Sequence, residues 1–147
     1  MKQAVRLTVG LVCLSLLLLA GASAQDQYNE GTVDRVVLIR ILPGHGNAFW
    51  ADLKANITPV WDAEKSAGLI EGYHIFLNQT KANPEDWDLG YVLTYKNMAA
   101  LDGIEDRVEP LIKKIWATRD TAAKAEVDRE SLREILGSQL IRRLDLK

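Results

Sequence analysis

A short aliphatic run near residue 40 places the strongest constraint on the fold. Residues 36–42 read VVLIRIL, so apolar side chains occupy odd and even positions alike, and Arg40 alone interrupts them. Successive side chains of a β-strand point to opposite faces, and a strand that is apolar on both faces is typical of a central, covered position. Pro43 and Gly44 follow at once and favour the end of a strand. We therefore expect a central β-strand over residues 36–42 that is covered on both faces.

Hydrophobic spacing predicts the remaining elements. A helical stripe follows the first strand, and Pro59 inside it predicts a kink or a break near residues 55–58, because proline lacks a backbone donor. The later elements are expected as a strand at 71–78, a strand at 88–96, a helical region after residue 97 and a strand over 135–147. The polar segment 119–133 fits either further helix or a solvated crossing. The order is strand, helix, strand, strand, helix, strand. It is typical of the α+β, ferredoxin-like βαββαβ fold, with an antiparallel sheet whose first and third strands are central.

The N-terminal 24 residues have the pattern of a secretory signal peptide. A positively charged start is followed by the apolar run 7–20 and by small residues that end at Ala24. The apolar run is short for a membrane span, so we expect cleavage after Ala24 and a periplasmic or secreted protein. The alternative is an uncleaved N-terminal anchor. Residues 25–32 are expected to form a flexible polar leader, followed by one domain over residues 33–147.

Composition after cleavage argues against several classes of function. Loss of 24 of the 147 residues leaves enough chain for one domain with a real core. Cys13, the only cysteine, leaves with the signal, so the mature chain has no disulfide, thiolate nucleophile or cysteine metal ligand. The signal also removes two of the 18 basic residues and none of the 20 acidic ones, so the net charge becomes 16 minus 20, or −4. An acidic chain of this kind is a poor partner for nucleic acid, and no membrane partner is expected after cleavage.

Two stretches of the chain resemble the dimeric α/β-barrel superfamily. The stretch RVVLIRILPGHGNAFW resembles the first strand and helix entry of that family, and DWDLGYVLTYKNMAALDG resembles its third strand and the capped helix after it. The likeness covers residues 33–147, with the segment 119–133 as an extra part. Members include cofactor-independent monooxygenases, heme-degrading enzymes, isomerases and proteins of unknown role. No catalytic motif of any subfamily is found, so no residue role is carried over.

The resemblance implies a homodimer in which open sheet faces pair into a barrel. Helices cover one face of such a sheet, and the other face would carry Val36, Leu38, Leu42 and Phe76. A monomer rarely leaves an apolar patch of that size in water. An identical partner would bury it around a shared cavity.

The open face is also where polar residues are expected to converge. The residues expected to face the helices are Val37, Ile39, Ile41, Tyr73, Ile75 and Leu77. The opposite face then carries Arg40, His74 and Asn78 among apolar neighbours, a pattern typical of a ligand pocket. The third strand is ambiguous, because either of its faces fits, so Tyr91 or Thr94 joins this group.

His74 and Arg40 are the candidate catalytic residues. A histidine exchanges protons near neutral pH, and an arginine can hold a carboxylate or an enolate. The candidate ligand-binding residues are Asn78, Tyr91, Thr94, Trp87 and His45. The structural alternative is that Arg40 pairs with Glu71 or Asp145 across strands and that His74 bonds to a neighbour.

Two of these candidates come from loops. His45 lies between two glycines before the first helix, where it either gates a cavity mouth, binds an anion at the helix start, or is a turn residue. Trp87 follows a loop and is a candidate for ligand contact. Two histidines in separate segments do not form a zinc motif, so neither a metal nor a cofactor is expected.

Three functions remain open at this point. The first is a noncatalytic small-molecule-binding or stress-associated module with a small, partly apolar ligand. The second is a cofactor-independent monooxygenase or isomerase that uses His74 and Arg40. The third is a structural or assembly domain whose barrel is filled with side chains. A cavity of a few hundred Å³ favours the first two, since ligand pockets have about that volume.

Overall fold

The computed structural model describes residues 27–116 and 118–147. The expected signal peptide lies outside the described residues. The strands are β1 (Tyr28–Ile41), β2 (Gly72–Leu77), β3 (Leu89–Tyr95) and β4 (Arg133–Leu146). The helices are α1 (Gly46–Asp52), α2 (Thr58–Ser66), α3 (Ile104–Trp116) and α4 (Arg119–Glu130), with a π-helical turn over Leu53–Ile57 and a 3₁₀ turn over Met98–Leu101. Within these residues, none of the helices is both long and apolar enough to span a bilayer.

The first strand begins earlier than the sequence predicts. The flexible leader expected over residues 25–32 is wrong from Tyr28 onward, because Tyr28 already lies in β1. A polar sequence can enter a sheet because backbone groups, which every residue has, form the pairing bonds. Residues 31–143 form one compact unit, and the described ends of the chain, 27–30 and 144–147, belong to a second. Inside the second unit, the Lys147 amide donates to the Gln27 carbonyl at 3.1 Å.

The sheet has the strand order β2-β3-β1-β4, so the first and third strands are central as predicted. The strand β3 pairs antiparallel with both β1 and β2. Gly31 lies against Arg143, and the Leu42 amide donates to the Leu132 carbonyl at 3.0 Å, so β4 also runs antiparallel to β1. This order confirms the ferredoxin-like α+β fold, and the extra segment before β4 is the helix α4.

Strand register decides which side chains face the helices. Val37 is opposite Tyr91, which is opposite Ile75, so these three share one face. The odd-numbered residues of β1 on this face are almost fully buried, as the exposed fractions of Val33, Val37 and Ile39 are 1%, 3% and 0%. Phe49, Leu53 and Trp61 from the helical segments complete the core. The expected division of β1 and β2 between two faces is therefore confirmed. We call the side that carries Val36, Leu38 and Arg40 the open face.

The first helical segment is interrupted where the sequence predicts a kink or a break. A π-helical turn over Leu53–Ile57 separates α1 from α2, and Pro59 lies in the first turn of α2. A proline within a regular helix removes one backbone hydrogen bond and its ring clashes with the preceding turn. The wider π turn accommodates the ring just before the helix restarts.

The polar segment that the sequence left open is the helix α4. Thr118 caps it, since the Thr121 amide donates to the Thr118 hydroxyl at 3.1 Å. Arg129 in its last turn is 4% exposed and donates to Asp52 at 2.6 Å. The helix is thus fastened to the domain by a buried charge, which a search for apolar stripes does not detect.

Candidate ligand-binding cavity

Arg40 lies on the open face, as expected, but its guanidinium is already occupied. It forms ion pairs with Glu85, from the β2–β3 connection, and with Glu134 at the start of β4. The hydrogen bond with Glu134 raises the pKa of Arg40. The alternative prediction that Arg40 forms ion pairs is therefore correct. The predicted partners, Glu71 and Asp145, are wrong.

His74 shares the open face with Arg40 but not a site. His74 is opposite Val92, which is opposite Val36, and Arg40 lies four residues farther along β1. Four residues of strand span about 13 Å, and crossing two strand spacings adds about 10 Å in the perpendicular direction. The His74 side chain is exposed and has no hydrogen bond or ion pair within the part of the chain that the structure describes. The expected His74–Arg40 pocket does not form within one chain.

Asn78 and Trp87 hold the β2–β3 connection together. The Asn78 side chain donates to the Trp87 carbonyl at 3.1 Å and accepts from the Thr80 amide at 3.1 Å. The Trp87 ring meets the Phe76 ring edge-on, with centroids 5.5 Å apart. A Cβ on Gly90 would overlap the Phe76 ring, so this contact requires glycine. Both candidates have structural partners here.

Thr94 and His45 likewise have local roles. Thr94 lies on the open face and donates to Asp34 at 2.7 Å, and Arg143 donates to the same carboxylate at 3.0 Å. His45 is exposed just before α1, where its side chain makes no capping bond. Its amide donates to the Leu42 carbonyl at 3.0 Å, the bond of a tight turn. The turn interpretation of His45 fits this position.

Tyr91 is the one predicted site residue that lines the main cavity. Register places it on the helix-facing side of β3, which settles the ambiguity of that strand. A cavity of about 630 Å³ lies between this side of the sheet and the helices α2, α3 and α4. Its chemically distinctive lining residues are Arg35, Trp61, Glu64, Tyr91 and Tyr95, with Leu93 and Ile104 among the apolar ones. The cavity therefore lies on the opposite side of the sheet from His74 and Arg40.

Glu64 is the unusual group in this cavity. The residue is 7% exposed, yet its carboxylate has no hydrogen bond or ion pair among the described residues. Every described side-chain nitrogen or oxygen that is fully enclosed does have a hydrogen-bond partner. The Glu64 oxygens therefore retain contact with the open space of the cavity. Burial raises the pKa of Glu64, and the positive charge of Arg35 partly opposes that rise.

Aromatic rings form the wall around this carboxyl group. The ring centroids of Trp61 and Tyr91 are 4.7 Å apart, and the Arg35 guanidinium lies 5.9 Å from the centroid of the Tyr95 ring. Burial raises the pKa of both Tyr91 and Tyr95, so their phenols stay neutral and can donate hydrogen bonds. The cavity combines a flat apolar wall with one cation, two hydroxyl groups and the buried carboxyl group of Glu64, and three further carboxyl groups line it from α3.

Sequence reasoning missed Arg35 and Glu64, although each left a signal. Arg35 has the same parity as Val37 and Ile39, so it stands as a charge on the core face of β1. Glu64 follows Trp61 by three residues and so lies on the buried stripe of α2. A charge on a core face was the more informative pattern, because such residues are almost never fully buried without a reason.

We also searched the described residues for side chains grouped to bind a metal ion. Within residues 27–116 and 118–147, no group of three or more His, Cys, Asp or Glu side chains is arranged to hold a metal ion. The polar groups of the cavity are better suited to an organic molecule, since they include a guanidinium and two phenols, and the carboxyl groups that line it are not arranged to hold a metal ion.

Comparison with known proteins gives a likeness without a functional assignment. No family model matches the chain, and no curated protein matches it. The chain is similar to a crystal structure of a dimeric ferredoxin-like protein of unknown function from Jannaschia sp. CCS1. The two share 15% identity with a TM-score of 0.44, over 77% of this chain and 98% of that one. The fold is established by the strand order and helix positions described above.

Proposed function

We propose that this protein is an exported, dimeric, small-molecule-binding domain that takes a partly apolar ligand into the cavity between its sheet and helices. The observation that carries this proposal is a buried carboxyl group, Glu64, that faces an open cavity beside Arg35. A buried carboxylate without a hydrogen bond or ion pair destabilises the folded protein. If the cavity had no occupant, an uncharged residue in place of Glu64 would make the fold more stable.

The cavity specifies the class of ligand. Its volume of about 630 Å³ suits a small organic molecule, since ligand pockets span about 300–1,000 Å³. Trp61 and Tyr91 favour a flat, aromatic or conjugated body. Arg35 favours an anionic or carbonyl oxygen at one end of that body. The ligand we propose is therefore a flat, partly apolar molecule with an acidic or carbonyl group.

The other two functions are less well supported. An enzyme that uses His74 and Arg40 together would need them in one pocket, and the register separates them. A purely structural domain would have no use for an open cavity with an unpaired carboxyl group inside it.

Apolar residues on the open face support the proposed dimer. Glu134 meets Arg40 on that face, and Leu136 follows Glu134 by two residues along β4, so it shares the face. The exposed fraction of Leu136 is 40%, and Val36 and Leu38 on the same face of β1 are half-buried. A second copy of this chain, packed face to face, would remove these side chains and their half-buried neighbours from water.

The N-terminal pattern supports export. A charged start, an apolar run and a small-residue end at Ala24 are what the secretion machinery recognises. Expression of the full chain in a bacterial host should place the protein outside the cytoplasm with Gln25 as its first residue. Retention of residues 1–24 on the purified protein would contradict the cleavage that we propose.

Binding is tested with a probe of the proposed shape, 2-naphthoate, and with the fluorescence of the purified protein. Trp61 lies in the cavity wall, so a bound ring should change the tryptophan emission in a saturable way. The variant Arg35→Met should weaken binding by about tenfold or more, since a charge-assisted hydrogen bond contributes about 1.5–3 kcal/mol.

The matched control is Lys96→Met, which removes an exposed cation that follows directly after Tyr95 and does not line the cavity. Equal binding by the wild type, the Arg35 variant and the control would show that the cavity does not hold the probe through Arg35. Absence of saturable binding by the wild-type protein would overturn the proposed function.

A further inference from the structure

Binding of a ligand with an acidic or carbonyl group does not require Glu64. Arg35 alone supplies a charge for an acidic or carbonyl oxygen, and a carboxylate beside it repels an anionic ligand. Glu64 is also 93% buried, since its exposed fraction is 7%, and it has no partner among the described residues. A buried carboxyl group that faces a cavity beside a cation is a typical arrangement for proton transfer.

The residues around Glu64 come from two sides of the cavity, the sheet and the helix α3. Arg35, Tyr91 and Tyr95 project from the sheet into the cavity, so a cation and two neutral donors lie on one side. Glu105, Asp106 and Glu109 reach the cavity from α3. Glu105 and Asp106 are exposed, so among the carboxyl groups that reach this cavity Glu64 is the most deeply buried. It is the carboxyl group best placed to meet the body of a bound ligand.

We infer that Glu64 is a general base that removes a proton from a carbon next to a carbonyl group in a flat, partly apolar ketone or 2-oxo acid. This inference rests on the proposed function, because the substrate must first occupy the cavity. The carbonyl oxygen lies toward Arg35 and the phenols, and the acidic C–H group lies toward Glu64.

The step is balanced without a further reactant. The C–H bond breaks, its proton passes to a Glu64 oxygen, and its electron pair forms the C=C bond of an enolate. The negative charge collects on the carbonyl oxygen, where Arg35 and a phenol hydrogen bond stabilise it. Reprotonation of the same carbon, after the Glu64 carboxyl proton has exchanged with solvent, gives isotope exchange, and transfer of the proton to a conjugated carbon moves a double bond. The activity is therefore of the isomerase or tautomerase class, with neither oxidation nor reduction.

The test follows hydrogen–deuterium exchange in D₂O by proton NMR, with phenylpyruvate and 2-tetralone as probes. Both carry an aromatic ring and an acidic C–H group next to a carbonyl. Wild-type protein should accelerate the loss of that proton signal above the buffer rate for at least one probe. The variant Glu64→Gln should lower the protein-dependent rate by about 10²-fold or more, the usual contribution of a general base. It should bind 2-naphthoate at least as tightly as the wild type, because glutamine nearly conserves the shape and removes a charge that repels the anion.

Two further variants separate catalysis from folding. Glu64→Asp keeps the carboxyl group but withdraws it by one methylene, so it should retain part of the exchange activity. Glu71→Gln removes an exposed carboxylate outside the cavity, so it should catalyse exchange of the probe at the wild-type rate. Thermal unfolding of each variant shows whether it is folded.

The outcomes distinguish this inference from the proposed function. Equal exchange by the wild type and by Glu64→Gln would place the base elsewhere and overturn the inference. Wild-type protein that binds 2-naphthoate but accelerates exchange of neither probe would also overturn it, with binding intact. Wild-type protein that shows neither activity would overturn the proposed function as well.

Discussion

Arg129, in the last turn of α4, donates from Nε to the Oδ2 atom of Asp52, at the end of α1, over 2.6 Å. The exposed fractions of the two side chains are 4% and 13%, and Arg129 also pairs with Glu126. The bond joins two helices through residues that are 77 positions apart in the chain. It is a buried attachment of a helix most of whose residues are exposed to solvent.

Removal of one partner from this pair should be strongly destabilising. Arg129→Met leaves the Asp52 carboxylate partly buried without its cation, and such a change costs about 3–5 kcal/mol. Urea unfolding, followed by circular dichroism, measures the loss. Lys124→Met is the matched control, because Lys124 pairs with Asp128 on the exposed side of the same helix. That control should cost less than about 0.5 kcal/mol, and an equal cost for both variants would contradict the role of the buried pair.

Gly90→Ala should destabilise the sheet, because the new side chain would displace the Phe76 ring. The new Cβ would overlap the Phe76 side chain, whose ring lies edge-on to Trp87. Overpacking of this kind costs about 1–3 kcal/mol, and displacement of Phe76 should change the tryptophan fluorescence. Gly72→Ala, in the neighbouring strand, introduces a Cβ with no atom within 4 Å and serves as the control. Phe76→Leu combined with Gly90→Ala should recover part of the loss, and no recovery would mean that another contact is responsible.

Glu64→Gln should stabilise the protein at neutral pH and not in acid. Burial raises the pKa of Glu64 in the folded state, so folding favours the protonated form. The favourable contribution is therefore complete below the unfolded pKa and is lost as the pH rises through the folded pKa. Glutamine stays neutral, so the variant should melt a few degrees above the wild type at pH 8 and close to it at pH 4. Melting temperatures that differ by the same amount at both values would show that ionisation is not the cause.

The proposed dimer depends on one face of β4 and not on the other. Ile135 and Leu136 are neighbours with exposed fractions of 51% and 40%, and they point to opposite faces. Leu136→Glu should convert the dimer to a monomer, because it places a charge in the apolar interface, whereas Ile135→Glu should leave the dimer intact. Light scattering during size-exclusion chromatography gives the mass of each. Dissociation by both changes, or by Ile135→Glu alone, would assign the interface to another surface.

Most of the fold could be predicted because it depends on periodicity. The aliphatic run 36–42 required a central strand, and the order of elements selected one arrangement of four strands. The start of β1 could not be predicted, because its first residues are polar and pair through the backbone. The attachment of α4 was equally inaccessible, since the Arg129–Asp52 bond joins residues that no local pattern connects.

The candidate site was only partly predictable, because a shared face does not imply proximity. His74 and Arg40 were assigned to the same face correctly, but only the register shows that they lie far apart along the strands. Tyr91 was predicted and lines the cavity. Arg35 and Glu64 were not predicted, although the parity of Arg35 already places it on the core face of β1.

The exposed aliphatic side chains of β4 have a consequence for handling the protein. Leucine and isoleucine project from both faces of this strand, which ends the sheet among the described residues. A bare terminal strand of this kind templates the addition of further strands. Face-to-face pairing, as in the proposed dimer, leaves the edge of this strand bare, so paired copies can still join edge to edge. Turbidity during storage should therefore rise with protein concentration, and a dilute stock should outlast a concentrated one.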